Sequence, residues 1–218
     1  MANISVNQTN QVASISNITQ TMNETKKFPE LDAMMFSTLY KLKNAKAAIT
    51  AETAELTSAT ALKKFDAMMD AMDEGLVPPT GRLLYVDTYT KTLLDNALTV
   101  VRTNGDKVVN RMLNRLDEVE IIGVPTTLMK TAYTFNDGVT SGQEAGGISV
   151  ADGAGDMAMI LVHASAVLPI ASYEFAQLQE PSALTQGKYV YFEESFEDVF
   201  ILDERHAGIQ ICVKKAAV

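Results

Sequence analysis

The 218-residue sequence holds one cysteine, Cys212, and two histidines, His163 and His206. A single cysteine excludes an internal disulfide and a multi-cysteine zinc site, and it fits a reducing or cysteine-indifferent compartment. As a lone residue in a strand-like stretch, Cys212 reads as packing. A histidine-built transition-metal site would need both histidines, and His163 at a strand end has the ordinary role of a packed or capping residue. No run of about 18 apolar residues occurs, and the first residues, MANISVNQTN, are polar and uncharged. That predicts neither a membrane-spanning helix nor a signal peptide, and the chain reads as cytosolic and soluble. Basic residues are also few: 18 Lys and Arg against 27 Asp and Glu give a net charge of -9. A nucleic-acid-binding surface as the main business is thereby disfavoured, because phosphate contacts need clustered cations. No repeat of fixed period and no phosphate-binding G-x-x-x-x-G-K-[ST] loop is present.

What remains is ordinary globular composition, 47% hydrophobic and 21% charged, in a chain long enough for a well-buried core. Apolar residues run from Val12 through Ile15, Ile18 and Met22, then through Phe28, Leu31, Met34, Met35, Leu39 and Leu42. Their three-or-four spacing predicts a long amphipathic helix, disturbed near Pro29. TSATALKKFDAMMDAMDEG predicts another, capped by Thr57 or Ser58 and stopped by Gly75 ahead of Pro78 and Pro79. An α/β texture follows: strand RLLYV, helix YTKTLLDNA capped by Asp87 or Thr88, a strand in DEVEIIGVP, and MAMILVH as a central strand. Asn136 to Asp156 holds six of the twelve glycines and almost no apolar period, which predicts a long mobile loop. The last third predicts strands in ASYEFAQL, GKYVYFEES, DVFIL and GIQICV, with QEPSALTQG as a polar connection. The fold class is α+β.

Most motif-like stretches fail on context. Gly153, Gly155 and Ala158 have G-x-G-x-x-A spacing, but a dinucleotide fingerprint must open a helix, and here a strand follows. Ser149 in GISVA approaches a nucleophile elbow without its final glycine or a strand-turn-helix setting. Asp66, Asp70 and Asp73 share a helix face, a possible hard-cation surface that also reads as a solvated face opposite Met68, Met69 and Met72. The densest feature is YFEESFEDVF, residues 191–200, with four carboxylates. In an extended strand Glu193 and Glu197 point one way while Glu194 and Asp198 point the other, so the four do not converge on one ion. A solvated face or an intermolecular salt bridge is the expected role.

Five blocks taken in order resemble the major capsid proteins of tailed bacteriophages, the Hong Kong 97-like shell fold: FPELDAMMFSTLYK, VPPTGRLLYVDTYTKTLL, IIGVPTTLMKTAY, MILVHASAVLPIASYEFAQLQEPS and GKYVYFEESFEDVFIL. The resemblance spans about Thr9 to Cys212. It implies a peripheral domain with a spine helix over residues 1–80 and 168–198, and an axial domain over residues 81–167 and 199–218. It further implies a non-enzymatic structural subunit without cofactor or metal, self-assembling into pentamers and hexamers of an icosahedral virion shell around DNA, in the bacterial host cytoplasm. Scaffolding and portal proteins are the implied partners, with packaged DNA touched non-specifically and no membrane. Relatives carry an N-terminal arm and an extended loop before the spine helix. Here only MANISVNQ precedes it, so the chain is expected to lack that portion. Under this resemblance Glu193, Glu194, Glu197 and Asp198 are candidates to meet a neighbouring subunit, with Lys41, Lys43, Lys46, Arg111 and Arg115 as candidate bases. Gly138, Gly142, Gly146 and Gly147 are candidates for a loop at the capsomer centre. Two alternatives stay open: an encapsulin-like or prophage-derived shell or defence-related protein that binds a protein cargo or partner, since the fold is shared, and an acidic metal-binding hydrolase.

Overall fold

The computed structural model describes residues 2–6, 12–97, 115–116 and 119–215. Helices and strands alternate in an α+β arrangement. The chain divides into two compact units, one of residues 1–32 and 169–199, the other of residues 33–168 and 200–218. The first of these boundaries falls inside the long helical run, and Phe36 and Leu39 beyond it are buried. Phe36 meets the Tyr85 ring edge-on at 5.2 Å between centroids.

In the first unit, strand β1 (Ala2–Val6) lies beside β9 (Tyr189–Ile201), which lies beside β8 (Val167–Gln179). β1 pairs antiparallel with β9, Ala2 opposite Glu193 and Val6 opposite Tyr189. The residues ahead of the helix therefore contain a strand that alternation in so short a polar stretch did not announce. GKYVYFEES and DVFIL, expected as two strands, form the single strand β9, since nothing between them breaks an extended backbone.

The helical run comprises α1 (Val12–Met22), a π-helical turn over Asn23–Lys27, and α2 (Phe28–Lys46). Pro29 explains the disturbance. Proline lacks an N–H, and its ring clashes with the carbonyl four residues back, which here is Thr25. The wider turn, closed by a bond from the Phe28 N–H to the Asn23 carbonyl five residues earlier, accommodates it.

The second unit is built on a five-stranded sheet in the order β10-β7-β2-β4-β3. Its strands are β2 (Arg82–Asp87), β3 (Arg115–Leu116), β4 (Val119–Val124), β7 (Met157–His163) and β10 (Ile209–Val213). β2 and β4 are parallel and the other pairs antiparallel. β7, expected as a central strand, lies inside the sheet between β10 and β2. Every residue of β7 is buried, as a near-continuous apolar run requires when both faces of a strand are covered.

On one side α3 (Ser58–Glu74) and α4 (Thr88–Ala97) pack Phe65, Met68, Met72 and Leu94 with Leu84, Val86, Ile121, Met159, Leu161 and Cys212. α3 opens on a capping box, in which the Thr57 and Thr60 side chains each take the other's backbone N–H. α4 is capped by Asp87, whose carboxylate accepts the Thr90 N–H at 3.1 Å. The 3-10 turn over residues 203–208 packs tightly: a Cβ at Gly208 would stand 2.8 Å from that of Ala166, and one at Gly75 would stand 2.7 Å from that of Ala207.

The stretch from Asn136 to Asp156, expected as a loop, belongs in part to a ribbon. β5 (Tyr133–Asn136) and β6 (Gly147–Val150) pair antiparallel, Tyr133 opposite Val150 and Phe135 opposite Ile148. All four apolar side chains share one face, a period-2 pattern too short to stand out among the glycines.

Candidate functional site

The carboxylates of β9 separate by face. Glu193 receives the Lys27 ammonium and also the Tyr191 hydroxyl at 2.9 Å, and its side chain is 15% exposed. The Lys27 hydrogen bond, and then that of Tyr191, hold the Glu193 carboxyl below the usual range against the opposing effect of burial. Burial first, and then the Glu193 carboxylate beside it, push the Tyr191 hydroxyl up. Glu193 is therefore engaged within its own chain, by a lysine 166 positions away that no local pattern singled out.

Glu194, Glu197 and Asp198 differ: none has an ion-pair partner among the described residues. Asp198 accepts the N–H of its neighbour Val199 at 2.7 Å and is exposed. The four carboxylates do not converge, and no group of three or more His, Cys, Asp or Glu among the described residues is placed to hold a metal ion.

The candidate bases divide as well. Lys43 is buried and donates to the His206 carbonyl at 2.9 Å, and burial pulls its ammonium below the usual lysine range. Lys43 is thus a structural contact inside its unit, not a base presented outward. Lys46 pairs with Asp203 at 3.0 Å, both side chains being exposed, and Lys41 is exposed without an ion pair among the described residues. Arg115 lies on β3 in register with Glu120, and Arg111 lies outside the described residues.

Gly138, Gly142, Gly146 and Gly147 have φ between 62° and 88°, and a Cβ on any of them would meet open space. Backbone conformation, not close packing, requires glycine here. Asp137 stabilises the turn by accepting from the Thr140 hydroxyl and from the N–H groups of Thr140 and Val139, which hold its carboxyl down at about 2.

Other polar groups serve the fold. The His163 Nε2 donates to the Thr80 carbonyl at 2.9 Å, and its Nδ1 accepts from Ser165, so neither nitrogen is free to act as a base. It lines a cavity of about 290 Å³ with Gly75, Val77, Ser165, Glu204 and Arg205. Asp73 pairs with the fully buried Arg82 at 2.6 Å, and the Arg82 guanidinium also holds the Val77 and Pro78 carbonyls. Asp87, fully buried, meets Lys214 at 2.6 Å and the Thr126 hydroxyl at 3.2 Å. The Cys212 thiol is pushed up to about 12, chiefly by burial, which makes it a packing group and not a nucleophile.

No protein-family model matches the chain, and no curated protein matches it in sequence. Its fold, however, matches solved structures over nearly its whole length. One is the asymmetric unit of the bacteriophage PhiM1 mature capsid, with a TM-score of 0.65 and 13% identity, covering 100% of this chain and 71% of the other. A second is the capsid structure of the cyanophage P-SCSP1u, with a TM-score of 0.59 and 14% identity, covering 98% of this chain and 71% of the other. A third, from Mycobacterium phage Che8, has a TM-score of 0.56 and 13% identity, covering 97% and 68%. At these identities the likeness is one of fold.

Proposed function

We propose that the chain is a structural subunit of a tailed-phage capsid with the Hong Kong 97-like fold, tiling with copies of itself into pentameric and hexameric capsomers around DNA. The observation that carries this reading is the match of the entire chain to the PhiM1 capsid chain. Three further features support it. Polar clusters at Arg82, Asp87 and His163 are internally satisfied, the cysteine is inert, and the uncompensated charges lie on an exposed sheet. Exposed charge of one sign directs association.

In this reading the sheet of β1, β9 and β8 with the long helical run serves as the peripheral part, and the five-stranded sheet as the axial part. The loop bearing Gly138, Gly142, Gly146 and Gly147 lies toward the capsomer centre. Glu194, Glu197 and Asp198 meet bases of neighbouring copies, with Lys41 among them. The shell forms in the host cytoplasm, with scaffolding and portal proteins as partners and DNA held non-specifically.

Sedimentation velocity of the purified chain over a range of concentrations and salt tests the proposal. Concentration-dependent species far above the 23.7 kDa monomer are expected. A monomer throughout would refute self-assembly. Nuclease-protected DNA inside the particles is expected, and an enclosed protein without DNA would identify a cargo compartment instead.

A further inference from the structure

Two leucines lie outside any core. Leu184 is 97% exposed and Leu76 is 92% exposed, more than any other large apolar side chain among the described residues. Each stands at a constrained piece of backbone. Leu76 (φ 55°) and Gln186 (φ 53°), two positions beyond Leu184, are the non-glycine residues with positive φ among those described, a conformation that L side chains adopt only at a steric cost. Leu76 follows α3 where a helix ordinarily ends on glycine: its N–H donates to the Asp73 carbonyl at 2.9 Å, and the Val77 N–H donates to the Met72 carbonyl at 3.0 Å. Gln186 belongs to the turn between β8 and β9. There the Ser182 N–H donates to the Thr185 hydroxyl at 2.8 Å and the Gly187 N–H donates to the Ser182 carbonyl at 3.0 Å, a bracing that holds Leu184 out at the tip.

Leu76 also lines the cavity of about 290 Å³ beside His163, whose apolar wall includes Val77, Pro78, Ala166 and Ala207. A single water needs only about 15 Å³ of such space, so the cavity admits a leucine side chain. Charge matches the two features. Glu204 and Arg205, both exposed, line the cavity, and Glu180 and Lys188 flank the Leu184 turn. None of these four has an ion pair among the described residues. Turn and cavity thus each offer one acid and one base around an apolar centre, the composition of a seated anchor with a polar rim.

We infer that Leu184, at the tip of the β8–β9 turn, seats in the assembled state in the cavity beside Leu76 of a second copy, with Glu180 facing Arg205 and Lys188 facing Glu204. The contact is heterologous: each copy offers both a knob and a hollow, so it propagates around a ring or across a shell instead of ending at a pair. This inference rests on the shell-subunit reading and specifies one of its contacts.

The experiment uses the full chain, with assembly followed by size-exclusion chromatography with light scattering and folding by circular dichroism. Leu184→Asp is expected to lower assembly by roughly tenfold or more, since it brings a charge to an apolar hollow. Leu76→Gly is expected to lower assembly while the thermal midpoint stays the same or rises, because glycine relieves the backbone and the exposed side chain adds nothing to the monomer. Glu180→Arg and Arg205→Glu are each expected to weaken assembly, and the two combined in one chain to restore it. A wild-type chain that assembles while the Leu184 and Leu76 variants assemble equally well overturns the inference and leaves the shell reading standing. A loss confined to Leu184→Asp, with Leu76→Gly assembling like the wild type, overturns the cavity as the seat. Charge variants that have no effect, or whose loss the combined chain does not restore, overturn the pairing of Glu180 with Arg205. Rescue of Glu180→Arg by Lys188→Glu instead would mean that two tips meet each other, and overturns the inference. A wild-type chain that stays monomeric overturns the shell reading and this contact together.

Discussion

Single residues in this chain act mainly by being satisfied. Asp87 caps α4, accepts the Thr126 hydroxyl and neutralises Lys214, which also lies 5.3 Å from the centre of the Tyr89 ring. Asp87→Ala leaves a mostly buried ammonium without its counter-charge and is expected to destabilise the protein by about 3 kcal/mol, measured by chemical unfolding. A loss below about 1 kcal/mol would show the pair to be incidental. Glu193 gives a pH signature. The Lys27 ammonium holds its folded carboxyl below the usual glutamate range, so its contribution is complete above that range and fades as pH falls through the lower folded value. Glu193→Gln is therefore expected to flatten the acid limb of the stability profile as pH falls below the usual glutamate range. An unchanged limb would remove Lys27 as the cause. The sequence offered Asp87 as one of two caps, because a cap bonds within three positions, whereas the packing roles of Cys212 and His163 were read from their places in strand-like apolar stretches. Lys27 with Glu193, and Lys214 with Asp87, were invisible because the partners meet only after the chain has folded back over 166 and 127 residues.

Among the described elements, periodicity located α1, α2 and α3, and Gly75 together with Thr57, one of the two caps offered, marks the ends of α3. It failed where the structure is short. β1, with five residues, and the β5–β6 ribbon, with four residues in each strand, lack the length for a clear alternation. Their pairing comes from tertiary placement. The π-turn was foreseen as a disturbance and is explained by Pro29, which sets a further expectation. A chain with Pro29→Ala and Thr25 deleted is expected to close into continuous α-helix while keeping α2 in register with the second unit's sheet. Deleting Thr38 in the Pro29→Ala background instead rotates part of α2 by about 100° and displaces either Phe36 or Leu39 from the core. The thermal midpoint should fall much further in the second chain than in the first. Equal losses would mean that the π-turn is not a one-residue insertion.

For the molecule as a whole, the ordered blocks pointed to a shell protein, and the fold likeness to two phage capsid structures agrees in general layout. Which surfaces meet was not legible, since complementarity belongs to pairs of surfaces and a strand's acids look alike until the fold shows which are already neutralised. Glu193 and Lys43 are held by contacts within their own units, while Glu194, Glu197, Asp198 and Lys41 have no ion pair among the described residues. Electron microscopy of the purified chain, imaged across protein concentration and ionic strength, is the most direct test of the proposed tiling role. Pentameric or hexameric rings or closed shells, weakening as salt rises, are expected. Isolated monomers in every condition would contradict it.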